Sequence, residues 1–333
     1  VVKKLSKQAA KSKSENDIRT FMKKTTIKRK AHYLKTLCAD SGACFAFGTE
    51  VKRLMNFFEF HTFKFASSLR NLGEASANGF IKEIEYNREG YKAYAALKSS
   101  LRSNSDNLAY EYLIGQFINE QSKRVPCFVE TYGLFKYASM AEQNKVKTNQ
   151  PDLSGLIPID PHQVSTVCQE SELICTLTQH IPNARTMRSL IRSESFLEDE
   201  AIYAFYQIYF TLNQLRHTFT HYDLHGGNVL LYEPNVDGYI QYHFHLPGED
   251  VVFKSKYMVK MIDYGRSFFP GATNYHTSLC QTPECNPNCG ASKGLGWMYQ
   301  RPVREDKYYI NSLYKNESHD LRLLYNCLQR FDD

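Results

Sequence analysis

The chain has 333 residues, 42% of them hydrophobic, enough for one large two-part domain or two small ones and too apolar for a disordered chain. No apolar run approaches the roughly 18–20 residues that cross a bilayer as a helix, and no secretion signal is visible at the start. The net charge of +6 is unevenly placed: residues 1–35 hold twelve Lys/Arg against Glu15 and Asp17, a local +10, so the rest carries −4.

Residues 1–50 therefore read as a basic N-terminal arm ending in a short apolar stretch. Only Phe21 and Tyr33 fall among its basic residues, no array for base stacking, so a solvated, partly helical extension is expected, with contact to an acidic partner as the alternative. The first residue is Val rather than Met, which suggests a processed or incomplete product. Residues 51–65 are aromatic-rich and should pack on the segment that follows. From 69 to 100 the pattern is β-like: a Gly-bounded loop, Gly79–Tyr86, a charged turn, and Tyr91–Lys98. A helix is expected from about Asp106 to Ser122, then strands over Cys127–Tyr132 and Leu173–Thr178. The polar segment 139–165 reads as a surface insertion, and 183–193 as a connection. Ala201–Leu215 is apolar with helical spacing, and Ser195 with Glu198 reads as a capping box at its start. Val229–Tyr232, Tyr239–Leu246, Asp250–Phe253 and Tyr257–Ile262 are strand-like. No internal repeat is present.

Nine cysteines, Cys38, Cys44, Cys127, Cys168, Cys175, Cys280, Cys285, Cys289 and Cys327, are scattered and odd in number. Without a secretion signal they suggest reduced thiols and an intracellular setting such as cytoplasm. In that setting the sequon Asn316-Glu-Ser318 is a chance match.

The most informative segment is His221-Tyr-Asp223-Leu-His-Gly-Gly-Asn228, followed by Ile262-Asp263-Tyr264-Gly265. His, Asp and Asn alone are ordinary turn formers. Here a helix precedes them and two strands follow, the second delivering Asp263 into a Gly turn. An acid and an amide on one tight loop, with a second acid at a neighbouring strand end, can hold a metal ion on phosphates and orient an acceptor hydroxyl.

These motifs resemble the H-R-D-L-x-x-x-N loop and D-F-G turn of protein-kinase-like phosphotransferases. The resemblance covers about residues 69–330. It implies an α+β, two-lobed fold: a β-rich N-lobe over 51–182 with the insertion near 139–165, and a helical C-lobe over 183–333 with a β insertion near 233–256. The C-lobe would be incomplete, since few residues follow Leu324. It further implies ATP and Mg²⁺ as cofactors, Asp223 as the catalytic Asp that orients the acceptor hydroxyl or accepts its proton, and Asn228 and Asp263 as metal ligands. Ala95-Ala-Leu-Lys98 resembles the V-A-I-K strand, so Lys98 would reach the ATP phosphates. Its partner should be Glu111, because Leu108, Glu111, Gly115 and Ile118 form one helical stripe and an acid inside an apolar stripe needs a partner. The rival, Glu120, sits among polar residues. Gly73, Ser76 and Gly79 form a degenerate Gly-rich loop that would cover the phosphates.

The sequence also departs from that pattern. Tyr222 replaces the usual Arg, which implies no dependence on a phosphorylated activation loop. His225 stands in place of a catalytic-loop Lys, as in small-molecule kinases of the aminoglycoside and choline group. No A-P-E triplet follows. Cys280, Cys285 and Cys289, with His276, offer four ligands for a structural zinc, but at no standard spacing. His243 and His245 share a strand face with no acid or Cys nearby in sequence. Asp320 resembles the buried acid that supports the catalytic-loop backbone. The Tyr- and Lys-rich body also looks like kinases of large DNA viruses, more loosely, and would then sit in the virion or host cytoplasm. The expected activity is ATP-dependent transfer to a serine or threonine hydroxyl. A small-molecule acceptor and a non-catalytic binding scaffold are the alternatives.

Overall fold

The computed structural model describes residues 38, 43–46, 48–73, 79–101, 107–150, 152–160, 171–234, 238–272, 297–300, 307–310 and 312–328. Its largest element is a six-stranded antiparallel sheet of β1 (Ala66–Asn71), β2 (Gly79–Arg88), β3 (Tyr91–Ser100), β4 (Thr131–Tyr137), β5 (Leu156–Pro158) and β6 (Ile174–Gln179). The order is β1-β2-β3-β6-β4-β5, so β6 closes between two strands that precede it. β2 and β3 pair along their whole length around Glu89 and Gly90, both at positive φ, as a two-residue hairpin turn requires.

Period-2 alternation gives this sheet two different faces. On β3, Ala93, Ala95, Leu97 and Ser99 are buried, while Tyr94, Ala96 and Lys98 face the other way and are half-exposed. The buried face is covered by α1 (Val51–Phe58) and the turn Phe60–Thr62, the aromatic segment of the sequence. Phe60 packs its ring 4.4 Å from Tyr86 and 4.8 Å from Tyr132. Lys82 is also buried there, and its ammonium donates to Asn71 Oδ1, the Lys147 carbonyl and Asn149 Oδ1 at 2.5–2.7 Å. All three of its N–H groups are thus used.

Segment 139–165 is more than a surface insertion. Ser139 caps α3 (Met140–Lys147), whose Gln143 and Val146 are buried, and β5 adds an edge strand to β4. Residues 161–165 lie outside the described residues. The expected strand at Cys127–Tyr132 is also shifted. Phe128 bridges to Met261, with Met261 N–H donating to the Cys127 carbonyl at 2.7 Å, so this backbone is drawn away and β4 begins only at Thr131.

Helix α2 (Asn107–Gln121) packs on β4 through Gly115, where a Cβ would lie 2.1 Å from Thr131 Oγ1. The residues of α2 that point inward belong to a second hydrophobic core, shared with the C-terminal half. That half contains α4 (Met187–Leu190), α5 (Glu194–Asp199), α6 (Ala201–Leu215) and α7 (Arg322–Leu328). It is richer in strands than expected. β7 (Arg185–Thr186), β8 (Val229–Tyr232) and β11 (Met258–Met261) form a sheet of order β11-β8-β7. β9 (Ile240–Leu246) pairs with β10 (Glu249–Ser255), and β12 (Trp297–Gln300) with β13 (Lys307–Ile310).

The Ser195/Glu198 capping box does not form. Both residues lie inside α5, and α6 starts at Ala201 after Glu200. Buried Glu200 instead accepts from Ser255 Oγ at 2.7 Å and from the Lys256 N–H, a tertiary demand that breaks the helix in two. The expectation of reduced thiols throughout also fails: Cys38 and Cys44 are disulfide-bonded, whereas Cys127, Cys175 and Cys327 are free and buried.

Candidate functional site

The half-exposed face of β3 looks onto α2 and onto the turn after β11. Lys98 Nζ lies 2.7 Å from Glu111 Oε2 and 2.9 Å from Asp263 Oδ1. Burial disfavours the charge on Lys98, but the two carboxylates beside it more than offset this and keep it protonated. Burial raises Glu111, against the pull of Lys98. Lys98 holds Asp263 down to about 2, against the partial desolvation of this half-exposed carboxylate. Asp263 adopts a left-handed backbone, φ 69°, at the end of β11. Glu120 plays no part here; it pairs with Lys123 on the surface.

The loop from His221 to Asn228 is fixed from several sides. Asp320, buried, accepts from the backbone N–H groups of His221 at 2.7 Å and Tyr222 at 3.0 Å. Tyr222 is left-handed, φ 64°, and its hydroxyl donates to the Tyr314 carbonyl at 2.7 Å. His221 Nδ1 accepts from the Asp223 N–H, so its other ring nitrogen carries the proton and donates to the Ile262 carbonyl at 3.0 Å. Asn228 Nδ2 donates to the Asp223 carbonyl at 2.9 Å, and its own carbonyl accepts from Ile262 N–H at 3.0 Å. The β8–β11 ladder thereby sets Asn228 beside Asp263. Tyr264 is buried, its hydroxyl shared between the carbonyls of Val129 and Met261.

Lys98, Glu111 and Asp263 are thus in direct contact, and Asp223 and Asn228 share a loop stitched to the Asp263 turn. Gly79 starts β2 so close to β3 that a Cβ would lie 2.1 Å from the Ser99 carbonyl oxygen; Gly73 is left-handed, φ 72°. Ser76 lies outside the described residues, as do His276, Cys280, Cys285 and Cys289. His243 and His245 occupy an exposed strand face, and His245 pairs at 2.8 Å with Asp250 across the hairpin, an acid only five residues along the chain, contrary to the expectation that none lies nearby. Among the described residues no three His, Cys, Asp or Glu gather as a metal cage, and no helix is long and apolar enough to cross a membrane.

Two residues were not singled out from the sequence. Arg266, directly after the Asp-Tyr-Gly turn, places Nη1 3.3 Å from Asp223 Oδ2. Arg188, on α4, lies against Gly226 and Gly227 of the loop. A cation one residue past an acidic turn was a visible signal for the first; nothing local marked the second.

The oxygen donors suit a hard cation. Asp263 is ionised and its side chain is 44% exposed; Asn228 uses its amide N–H internally, which leaves Oδ1 as acceptor.

No family model matches the chain, and no curated protein matches it. Among solved structures, a crystallised kinase domain is similar, at 17% identity and a TM-score of 0.37, covering 63% of this chain and 54% of the other. The chain spans about half the length of that kinase domain.

Proposed function

We propose that this protein is an ATP-dependent phosphotransferase of the protein-kinase-like class, acting on a hydroxyl acceptor, with serine or threonine as the first candidate. The observation that carries this is the Lys98–Glu111–Asp263 contact beside the Asp223–Asn228 loop. Its parts match the positioning and charge-neutralising work of phosphoryl transfer.

In this reading the sheet, α1 and α2 form a nucleotide-covering lobe over 51–182, and residues 183–333 form the acceptor lobe. Ile81, cross-strand from Lys98, and Ala96 lie on the same sheet face and offer an apolar ceiling to a base. Lys98 keeps one N–H for a phosphate oxygen after serving Glu111 and Asp263. Gly73 and Gly79 flank the segment that would cover the phosphates. Mg²⁺, held by Asp263 and Asn228, would neutralise charge on the phosphates. Asp223 orients the acceptor hydroxyl and takes its proton.

The test is a thermal shift with Mg-ATP on the full chain, followed by a radiolabel transfer assay with Ser/Thr peptides and small alcohols. Stabilisation by Mg-ATP and transfer that vanishes in Asp223→Ala would support the reading. Neither stabilisation nor transfer would leave a binding scaffold as the better account.

A further inference from the structure

We propose that the acceptor of this site carries a negative charge close to its hydroxyl, and that Arg188 reads that charge. The inference rests on the phosphotransferase reading above and extends it to the class of substrate.

The four residues between Asp223 and Asn228 are Leu224, His225, Gly226 and Gly227, with no acid among them. The Gly226 carbonyl accepts from the Arg188 N–H at 2.8 Å. A Cβ on Gly226 would lie 3.1 Å from that nitrogen and 3.3 Å from Arg188 Cα, both backbone atoms that cannot swing aside. Glycine is what lets α4 descend onto the loop. At Gly227 a Cβ would meet the His225 ring at 3.0 Å and Arg188 Cζ at 3.6 Å. The guanidinium therefore lies over the short span separating Asp223, the proposed proton acceptor, from Asn228, the proposed metal ligand.

Arg188 is exposed, and among the described residues no carboxylate or carbonyl engages its head. Asp223 is already faced by Arg266. Among the described residues, Arg188 over Gly227 and Arg266 at Asp223 thus put two guanidinium groups beside the Asp223 carboxylate. A hydroxyl delivered to Asp223 brings its neighbouring groups past Arg188. A carboxylate or phosphate there gains a planar, two-pronged partner, while a lysine or arginine is repelled.

The shared chemistry is an anionic group beside an alcohol; an acidic peptide and a phosphorylated small alcohol both provide it. The experiment measures kcat/KM of the full chain for three Ser/Thr peptides differing only in acidic, neutral or basic flanks, and for glycerol 3-phosphate against glycerol. The expected result is a preference of about 10-fold for the charged member of at least one series, carried mainly in KM. Which series shows it identifies the source. Arg188→Gln should reduce the preference to about 2-fold, Arg188→Glu should invert it, and Arg188→Lys should retain part of it, with melting temperatures confirming that each variant folds. Equal or better transfer to neutral or basic acceptors, a preference untouched by Arg188→Gln, or Mg-ATP binding without transfer to any acceptor overturns the inference. Absence of both Mg-ATP stabilisation and transfer instead sinks the phosphotransferase reading beneath it.

Discussion

Lys98 Nζ stands 2.9 Å from Asp263 Oδ1, tying the six-stranded sheet to a turn 165 residues further along the chain. Glu111 holds the same ammonium from α2, so one cation ties three elements together. Removing it leaves buried Glu111 beside Asp263 without the ammonium that both contact. Lys98→Met should cost roughly 3 kcal/mol, read as a lowered denaturant midpoint. Lys98→Met combined with Glu111→Leu should recover most of that stability while transfer stays absent, which separates the structural role of the pair from its chemical one.

Asp223 and Asp263 should fail differently. Asp223→Ala is expected to lower kcat by about 10²–10⁴-fold with the Mg-ATP thermal shift intact, because Asp223 takes no part in the Lys98 cluster. Asp263→Ala should abolish the shift itself. Isothermal titration with Mg-ATP distinguishes the two, and equal nucleotide affinity in both variants refutes the assignment.

Asp320 is the support of the loop rather than a participant. Its two oxygens accept from two successive backbone N–H groups, one belonging to left-handed Tyr222. Asp320→Ala leaves those donors buried and unpaired and should destabilise the protein by about 2–4 kcal/mol. Asp320→Asn, which keeps one acceptor, should lie between. Hydrogen exchange at His221 and Tyr222 is the direct readout.

Lys260 is fully buried, donates to the Phe128 carbonyl at 3.0 Å, and is pushed down to about 8 by burial. Its folded value lies below the unfolded one. Between about pH 8 and 10.5 the unfolded chain therefore holds the extra proton, and stability rises with pH across that window. The term is on the order of 3 kcal/mol. Lys260→Met should raise the melting temperature at pH 7 and flatten this rise, as thermal melts at pH 7, 8.5 and 10 would show.

The parts of the site that local pattern could reveal are those whose spacing is itself the chemistry. Asp223, Asn228 and Asp263 follow from two short motifs. Glu111 follows from an acid placed in an apolar helical stripe. Other features depend on contacts between distant segments. The break before α6 arises because Glu200 serves Ser255 and Lys256, about 55 residues away. Cys127–Val129 leave the sheet for Met261. Arg188 reaches the loop only because Gly226 admits its backbone. Such preferences have no local signature, since each needs the fold to exist first.

Between Asn228 and Asp263 the chain makes a long excursion through the β9–β10 hairpin. The hairpin rests on α6 through Tyr203, Tyr206 and Phe210 against Phe244 and Phe253, at 4.6–5.5 Å between rings. It departs from β8 and rejoins at β11, which are already partners. The spacing of the two proposed metal ligands is therefore dictated by that ladder and is indifferent to the length of the detour. A tag or foreign loop grafted at the tip, Pro247–Gly248, should therefore leave the positions of Asn228 and Asp263 unchanged.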